Sequence, residues 1–215
     1  MLGHYLNPDE IEKEVKRNSY LDVGGMEIKT NREEVITFFS NHPLIDKTEL
    51  GDFVYDIQYI DKGFIDFGNV GFDSYMSAIL TDFLRHKYLD NHKSFTFETV
   101  MSSSDKVETL KKAQSFGYRT YLYFVATEDP MINLLRIRHR VNMGGHNVPE
   151  DKAVARYYRS LELLIEAIRH TNRAYIFDNS GETKTWIAEI TNGTDVKLKV
   201  DEIPTWFQKY VLDKL

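Results

Sequence analysis

The alternation of strand-like and helix-like segments from residue 94 onward is the feature that most constrains the fold. Short runs of aromatic and β-branched residues alternate with longer segments whose apolar residues recur at helical spacing. The predicted strands are "SFTFETV", "YRTYLYFVA" and "AYIFDNSG", and the predicted helices are "SSDKVETLKKAQSFG", "EDPMINLLRIRHRVNMGG" and "NVPEDKAVARYYRSLELLIEAIRHTN". This order is typical of an α/β fold, in which helices cover a parallel sheet. The nearly continuous hydrophobicity of "YRTYLYFVA" further predicts a strand that is buried on both faces.

The segments on either side of this alternation differ from it. Residues 18–73 match neither half of the pattern and are interpreted as an insertion, with a short helix at "NREEVITFFSN" and a hairpin that turns at Asp61-Lys62-Gly63. A helix at "DSYMSAILTDFLRHKYLDN" then leads back to the sheet. Near the end of the chain, Asn192-Gly193 predicts a hairpin and "PTWFQKYVLDKL" predicts an amphipathic helix. We therefore expect an antiparallel addition at the edge of the sheet.

Composition narrows the classes of function. The 215 residues are 42% hydrophobic, which is enough for a single core. The absence of cysteine excludes disulfides, thiolate metal sites and cysteine nucleophiles. No apolar run approaches the roughly 18 residues of a membrane span, and the first residues lack the basic-then-apolar order of a signal peptide, so we expect a cytoplasmic protein with no membrane partner. A net charge of −6 argues against general binding to nucleic acid.

A well-specified helix start lies close to the beginning of the sequence. Asn7 is an N-cap residue, Pro8 suits the first helical position, and Glu10 completes a capping-box pattern. Leu6 precedes this start and is placed to form a hydrophobic staple with Ile11, and Asp9 is the second residue of the helix. The carboxylate of Asp9 either complements the helix dipole or serves chemistry at that point. Asp9 alone does not decide between these two interpretations.

Two further groups of residues are candidates for a site. Glu98 and Thr99 follow a hydrophobic strand at its carboxyl end, where open α/β sheets bind their ligands, although a polar strand end explains them equally well.

Arginines occur at helical spacing on two consecutive helices that are separated by a Gly-Gly pair. The residues are Arg136 and Arg140 on the first helix, and Lys152, Arg156 and Arg159 on the second. They form either a clamp for phosphate groups or a solvated face. The opposite side of the second helix predicts a buried stripe that includes Tyr158.

Taken in order, five segments of the chain resemble the zeta-toxin-like family of P-loop kinases. They are "NPDEI", "FTFETV", "GYRTYLYFV", "RIRHRVNMGGHNVPEDKAVARYYRSL" and "FDNSG". The string R-x-x-x-R-V-x-x-G-G-H-x-V-P is the specific part, and the similarity runs from about Gly3 to Gly181 with residues 18–73 interrupting it. The resemblance implies one kinase domain over residues 1–215, with a doubly wound parallel sheet and helices on both faces. It also implies ATP and Mg²⁺ as cofactors, a small hydroxyl acceptor such as UDP-N-acetylglucosamine as substrate, and an antitoxin protein as a possible partner.

The resemblance also implies a role for each candidate residue. Asp9 resembles the general base that activates the acceptor hydroxyl, and Glu98 with Thr99 resembles the acceptor-binding strand end. The remaining residues correspond to the nucleotide side of the site. Arg136 and Arg140 resemble lid arginines that neutralise the transferred phosphoryl group, and Arg156 and Arg159 would face the same phosphates. Asp178-Asn179-Ser180 resembles the loop near the nucleotide base, with Asn179 as the candidate binding residue. Phosphoryl transfer needs positioning and charge neutralisation, which such a set provides.

One departure from the family is large. The phosphate-cradling loop G-x-x-x-x-G-K-[ST] is absent from residues 1–215, and the nearest glycine-rich stretch is "VGGMEIKT". We therefore expect this polypeptide to transfer phosphate poorly or not at all. In the family the strand before that loop lies in the middle of the sheet, so we expect an upstream segment of about 25–35 residues to be missing from this sequence. The alternative is a degenerate, non-catalytic relative that holds a nucleotide-sugar or a partner protein.

Overall fold

A computed structural model describes residues 3–48, 51–60, 63–68, 70–145 and 147–215, with the backbone alone described at residues 51–53. The chain divides into two compact units, Met1–Glu98 and Thr99–Leu215. Each unit contains helices, strands and its own cluster of buried apolar side chains. The mixed α/β class predicted from the sequence is confirmed. No helix among the described residues is long and apolar enough to cross a membrane.

The described residues of the N-terminal unit form three α-helices and two small sheets. Its elements are β1 (His4–Leu6), α1 (Pro8–Asn18), β2 (Tyr20–Asp22), α2 (Arg32–Ser40), β3 (Gln58–Ile60), β4 (Phe64–Asp66), α3 (Ser74–Asp90) and β5 (Phe95–Phe97), with 3₁₀ turns at Ile45–Lys47 and Gly51–Asp56. Strands β1 and β5 are parallel, with His4 opposite Phe95. The second sheet has the order β2-β4-β3 and is antiparallel. The predicted hairpin between β3 and β4 is confirmed, although residues 61 and 62 of its turn lie outside the described residues.

Helix α1 begins as the sequence predicts. The side-chain oxygen of Asn7 accepts hydrogen bonds from the backbone amides of Asp9 and Glu10, at 2.9 and 3.4 Å. These bonds satisfy two amides that have no partner within the helix. Leu6 and Ile11 are both buried in the core of the unit, as expected for a hydrophobic staple. The start of α1, and with it the position of Asp9, is therefore fixed by local sequence.

Residues 18–73 contribute to the core of the N-terminal unit. Helix α3 buries an apolar face that includes Ile79, Leu80 and Leu84. Fully buried residues of the segment, among them Phe39 and Ile65, belong to the same cluster as that face. The segment is thus packed into the unit by the burial of apolar surface, which is the main stabilising contribution in a fold of this kind. Its interpretation as an insertion stays a prediction.

In the described part of the C-terminal unit, helices pack with one four-stranded sheet. Its elements are α4 (Asp105–Ser115), β6 (Tyr121–Ala126), α5 (Pro130–Asn142), α6 (Glu150–Arg169), β7 (Arg173–Asp178), β8 (Thr185–Thr191), β9 (Asp195–Leu198) and α7 (Thr205–Tyr210), followed by a 3₁₀ turn at Leu212–Lys214. The sheet order is β6-β7-β8-β9, with β6 and β7 parallel and the other pairs antiparallel. The antiparallel addition is confirmed. Its turn contains Asn192 and Gly193, whose φ angles of 50° and 79° suit a tight hairpin.

Two expectations about burial in this unit are wrong. Strand β6 is buried on one face only, because Phe124 faces the core while Tyr123 on the other face is 61% exposed and stacks on Tyr175, with 4.8 Å between ring centroids. On α6 the buried stripe includes Tyr157 rather than Tyr158, which is exposed. The Tyr157 hydroxyl donates to the carbonyl of Thr127 at 2.8 Å, so the ring is anchored at the end of β6.

Candidate active site

The carboxyl ends of β1 and β5 bring two of the candidate residues together. The two strands are parallel neighbours, and the amide of Glu98 donates to the carbonyl of Leu6 at 3.3 Å, which extends their pairing by one step. Asn7 follows β1 directly, and its Nδ2 donates to Oε2 of Glu98 at 3.3 Å. The same side chain holds the amide of Asp9. Asp9 and Glu98, which are distant in the sequence, therefore lie at the same sheet edge.

These groups are accessible to a ligand. Asp9 and Glu98 are both exposed. Tyr5, which is 47% exposed, has its hydroxyl 3.1 Å from Nδ2 of Asn7. The Asn7 hydrogen bond lowers the pKa of Tyr5, but partial desolvation and the Glu98 carboxylate together raise the pKa above its usual value. The edge thus carries two carboxylates, an amide and a phenol, which together can bind and deprotonate a hydroxyl compound.

Sequence reasoning missed Tyr5 and the amide nitrogen of Asn7. The residues flanking the N-cap carried no signal for them, because these contacts depend on the register of β1 against β5. That register pairs Tyr5 with Thr96 and leaves Asn7 beside Glu98. An Asn at the junction of a strand and a helix was the only available hint, since Asn both caps helices and donates hydrogen bonds.

Thr99 is the first residue of the C-terminal unit and is exposed. Its hydroxyl accepts a hydrogen bond from the amide of Met101 at 3.1 Å. Met101 has a φ of 53°, so this bond closes a tight turn after the strand. The hydroxyl hydrogen of Thr99 does not take part in that bond. The proposed role of Thr99 in acceptor binding stays a prediction.

The predicted arginines are exposed on two helices that pack against each other, α5 and α6. The guanidinium of Arg136 donates to the carbonyl of Gly181 at 3.3 Å, which ties α5 to the loop after β7. Arg138, which the sequence did not single out, pairs with Glu150 at 2.7 Å and joins α5 to the start of α6. That hydrogen bond also lowers the pKa of Glu150. The two helices therefore carry a set of solvent-accessible guanidinium groups, whose members are Arg136, Arg140, Arg156 and Arg159.

The loop after β7 is ordered by its neighbours. The amide of Asn179 donates to the carbonyl of Ala126 at 2.8 Å, so the loop is attached to the end of β6. Asp178 accepts hydrogen bonds from Nε1 of Trp206 at 2.8 Å and from the Ser180 hydroxyl at 3.0 Å. The Ser180 oxygen in turn accepts from the amide of Glu128 at 2.7 Å. These bonds give Asp178 and Ser180 a structural role and leave Asn179 as the polar side chain predicted to lie near a nucleotide.

The fold is that of a mixed α/β protein with polar groups at the carboxyl ends of parallel strands. The family model described as Zeta toxin matches residues 74–191, which is more than half of the chain. The chain therefore belongs to the zeta toxin family. The matched range contains Glu98, Thr99, Asn179 and the four arginines, whereas Asp9 lies before it.

Comparison with individual proteins adds one relative. An uncharacterized protein of Haemophilus influenzae (strain ATCC 51907 / DSM 11121 / KW20 / Rd) is 32% identical to this chain over 74 residues. The match covers 34% of this chain and 53% of that protein, so the chain spans about half the length of the curated relative it matches. No solved structure matches.

Proposed function

We propose that the protein is an ATP-dependent phosphotransferase that acts on a small hydroxyl acceptor, with the nucleotide-sugar UDP-N-acetylglucosamine as the first candidate. The observation that carries the proposal is the junction at the carboxyl ends of β1 and β5, where Asn7 contacts both the Asp9 amide and the Glu98 carboxylate. Membership of the zeta toxin family supports it, because the family is of the ATP-using P-loop type. A cytoplasmic location and an antitoxin partner belong to the same proposal.

In this mechanism the carboxylates act on the acceptor. Glu98 and Thr99 bind acceptor hydroxyl groups, and Asp9 accepts the proton of the hydroxyl that is phosphorylated. Asp9 lies in the first turn of α1, where the helix dipole favours an acidic residue. ATP, when bound, supplies the phosphoryl group. Asp9 would take up the proton of the acceptor hydroxyl as the phosphoryl group passes to the acceptor oxygen and ADP leaves.

The exposed arginines of α5 and α6 fit the phosphates of a nucleotide. Guanidinium groups match phosphate oxygens in charge and in geometry, and Arg136 and Arg140 would neutralise charge on the transferred group. Among the described residues, no group of three His, Asp or Glu side chains lies together as a metal cage. A Mg²⁺ that accompanies ATP would add to the neutralisation of charge on the phosphates.

The glycine-rich stretch after β2 does not have the geometry of a phosphate loop. The amides of Val23 and Gly24 both donate to the carbonyl of Gly63 at 2.8 Å, and the amide of Gly25 donates to Asp22. Amides that are used inside the fold are not available to phosphate oxygens. Together with the absence of G-x-x-x-x-G-K-[ST] from the sequence, this supports the prediction that residues 1–215 alone have little or no kinase activity.

Acceptor binding can be tested on the chain as it exists. Titration calorimetry with UDP-N-acetylglucosamine should give a measurable heat of binding for residues 1–215. Glu98→Gln should weaken binding by about tenfold, because a charge-assisted hydrogen bond is lost. Glu33→Gln, an exposed change on α2, is the matched control and should leave binding unchanged. The absence of binding by the wild-type chain contradicts the proposal.

The second candidate is a non-catalytic module that holds a nucleotide-sugar or a partner protein. It is favoured because the backbone amides of the glycine-rich stretch after β2 donate to groups within the fold and not to a phosphate.

The two candidates differ in what the gene encodes upstream of Met1. An in-frame G-x-x-x-x-G-K-[ST] there supports the kinase, and a chain extended to include it should turn over ATP and the acceptor. In that protein Asp9→Asn should reduce turnover by about 10²–10⁴-fold, and unchanged turnover would eliminate Asp9 as the base. A stop codon upstream supports the non-catalytic module.

A further inference from the structure

The side chain of Asn7 makes hydrogen bonds in two directions. Its oxygen accepts from the amides of Asp9 and Glu10, as in an ordinary helix cap. Its nitrogen lies 3.3 Å from Oε2 of Glu98 and 3.1 Å from the hydroxyl of Tyr5. The cap requires an acceptor alone, so the contact with Glu98 goes beyond what capping needs. Asn7 and Glu98 are 91 residues apart in the sequence, and the contact is therefore tertiary.

Asparagine is suited to both contacts at once. Asp and Ser cap a helix about as well as Asn does, and Thr does so somewhat less well, because each has an oxygen that accepts from the helix amides. Asp has no donor and would place a second negative charge beside Glu98. The Ser hydroxyl is one bond shorter than the carboxamide group and has a single hydrogen to donate. Of these cap residues, Asn alone offers a separate acceptor and donor on a planar group that points in two directions.

We propose that Asn7 is a positioning residue that fixes the separation between Asp9 and Glu98 at the acceptor site. Its oxygen holds the first turn of α1, which carries Asp9, and its nitrogen holds the carboxylate of Glu98 at the end of β5. The inference rests on the proposed function, since it assigns both carboxylates to the acceptor. Asn7 acts through these two residues and takes no part in the transfer itself.

The first test asks whether the amide of Asn7 engages Glu98. In nitrogen–proton correlation spectra of residues 1–215, the side-chain NH₂ signals of Asn7 are identified by their loss in Asn7→Ser. Glu98→Gln should move these signals upfield, because the amide then donates to a neutral acceptor instead of a carboxylate. The control Glu33→Gln should leave them in place. If the chemical shifts of these signals are unchanged in Glu98→Gln, the proposal is overturned.

The second test uses UDP-N-acetylglucosamine as the probe and measures coupling in a double-mutant cycle. Asn7→Ser retains a capping oxygen, so its melting temperature should stay close to that of the wild-type chain. Its affinity for the probe should fall about as much as in Glu98→Gln, by about tenfold. The double variant should bind no more weakly than either single variant, because both changes remove the same oriented carboxylate. Additive losses would show that Asn7 acts independently of Glu98 and would contradict the positioning role.

The two tests separate this inference from the proposed function. If the wild-type chain does not bind the nucleotide-sugar, the proposed function fails, and with it the assignment of Asn7 to an acceptor site. The NH₂ signals then still decide whether Asn7 holds Glu98. If the nucleotide-sugar binds but Asn7→Ser binds it as tightly as the wild type does, the proposed function stands and the role of Asn7 is wrong.

Discussion

Asp82, on α3, shows how single residues control the stability of the N-terminal unit. Its carboxylate contacts Nε2 of His42 at 3.2 Å and the guanidinium of Arg85 at 2.5 Å, and the Arg85 side chain is only 4% exposed. Burial acts to raise the pKa of Asp82, but the His42 hydrogen bond and the charge and hydrogen bond of Arg85 hold that pKa well below its usual range. A carboxyl group whose pKa is lower in the folded state than in the unfolded state stabilises the protein at any pH above the unfolded-state pKa. This stabilisation is lost as the pH falls toward the folded-state pKa.

We therefore predict that Asp82→Asn changes the acid dependence of stability. At pH 7 the free energy of unfolding should fall by about 2 kcal/mol, because the buried Arg85 loses the negative charge of Asp82 beside it. Below the unfolded pKa of about 4, the variant should lose stability less steeply than the wild type does. Both effects are measured by urea unfolding, followed by circular dichroism, at pH values from 7 down to the lowest at which the protein is folded. Asp46→Asn, at an exposed position, is the control. Parallel acid slopes in the wild type and Asp82→Asn would contradict the prediction.

At the residue scale, the sequence predicts contacts between residues that are close in the chain. It misses contacts that depend on how two strands distant in the sequence pair. The capping of α1 by Asn7 could be predicted, because a cap involves residues two and three positions away. The contact between Asn7 and Glu98 could not, because it requires that β1 pair with β5 in one particular register. The prediction that Tyr158 is buried, where the structure buries Tyr157, failed for a similar reason. The two tyrosines are adjacent, and only the tertiary structure determines which one contacts the end of β6.

At the element scale, the β8–β9 hairpin depends on Gly193. The residue has a φ of +79°, and a Cβ atom there would lie 3.0 Å from Cα of Arg169. An L-residue in this conformation is strained, so Gly193→Ala should lower the free energy of unfolding by about 1–2 kcal/mol. Chemical denaturation of the full chain measures the change. The matched control is Gly181→Ala, where a Cβ atom meets nothing within 4 Å, and its effect should be within about 0.5 kcal/mol. Equal effects of the two changes would refute the account of the turn.

The helices and strands themselves were largely predictable from the sequence. Helix α5 begins after Asp129, whose side chain accepts from the amide of Met131, and has Pro130 in its first position, as predicted. The start of α6 differs from that of α5, because Pro149 is its N-cap residue and no side-chain hydrogen bond among the described residues caps it. The burial of β6 was misjudged for a physical reason. Hydrophobic composition indicates that a strand is apolar, but it does not indicate which of its faces another element covers.

At the scale of the whole molecule, the C-terminal unit presents an exposed apolar surface on its sheet, consisting of Tyr121, Tyr123 and Val125 on β6 and Trp186 on β8. Exposed apolar patches of this kind favour association. Val125→Lys should therefore reduce the binding of an anilinonaphthalene dye and reduce self-association, without a loss of stability beyond about 0.5 kcal/mol. Fluorescence and light scattering measure these effects. Val100→Lys, at an exposed position outside the sheet, should change neither, and an equal effect of both changes would contradict the prediction.

The parallel pairing of β1 with β5 also has a consequence for the order of folding. Each strand has three residues, and the contact between Asn7 and Glu98 closes a loop of 91 residues. Closing such a loop costs conformational entropy that a short strand pair repays only after the intervening chain has collapsed. We therefore expect the carboxylate edge to form late, after α3 and its buried apolar face. Nucleotide-sugar binding should then return in refolding experiments more slowly than helical content, and a partly folded chain should have no acceptor site.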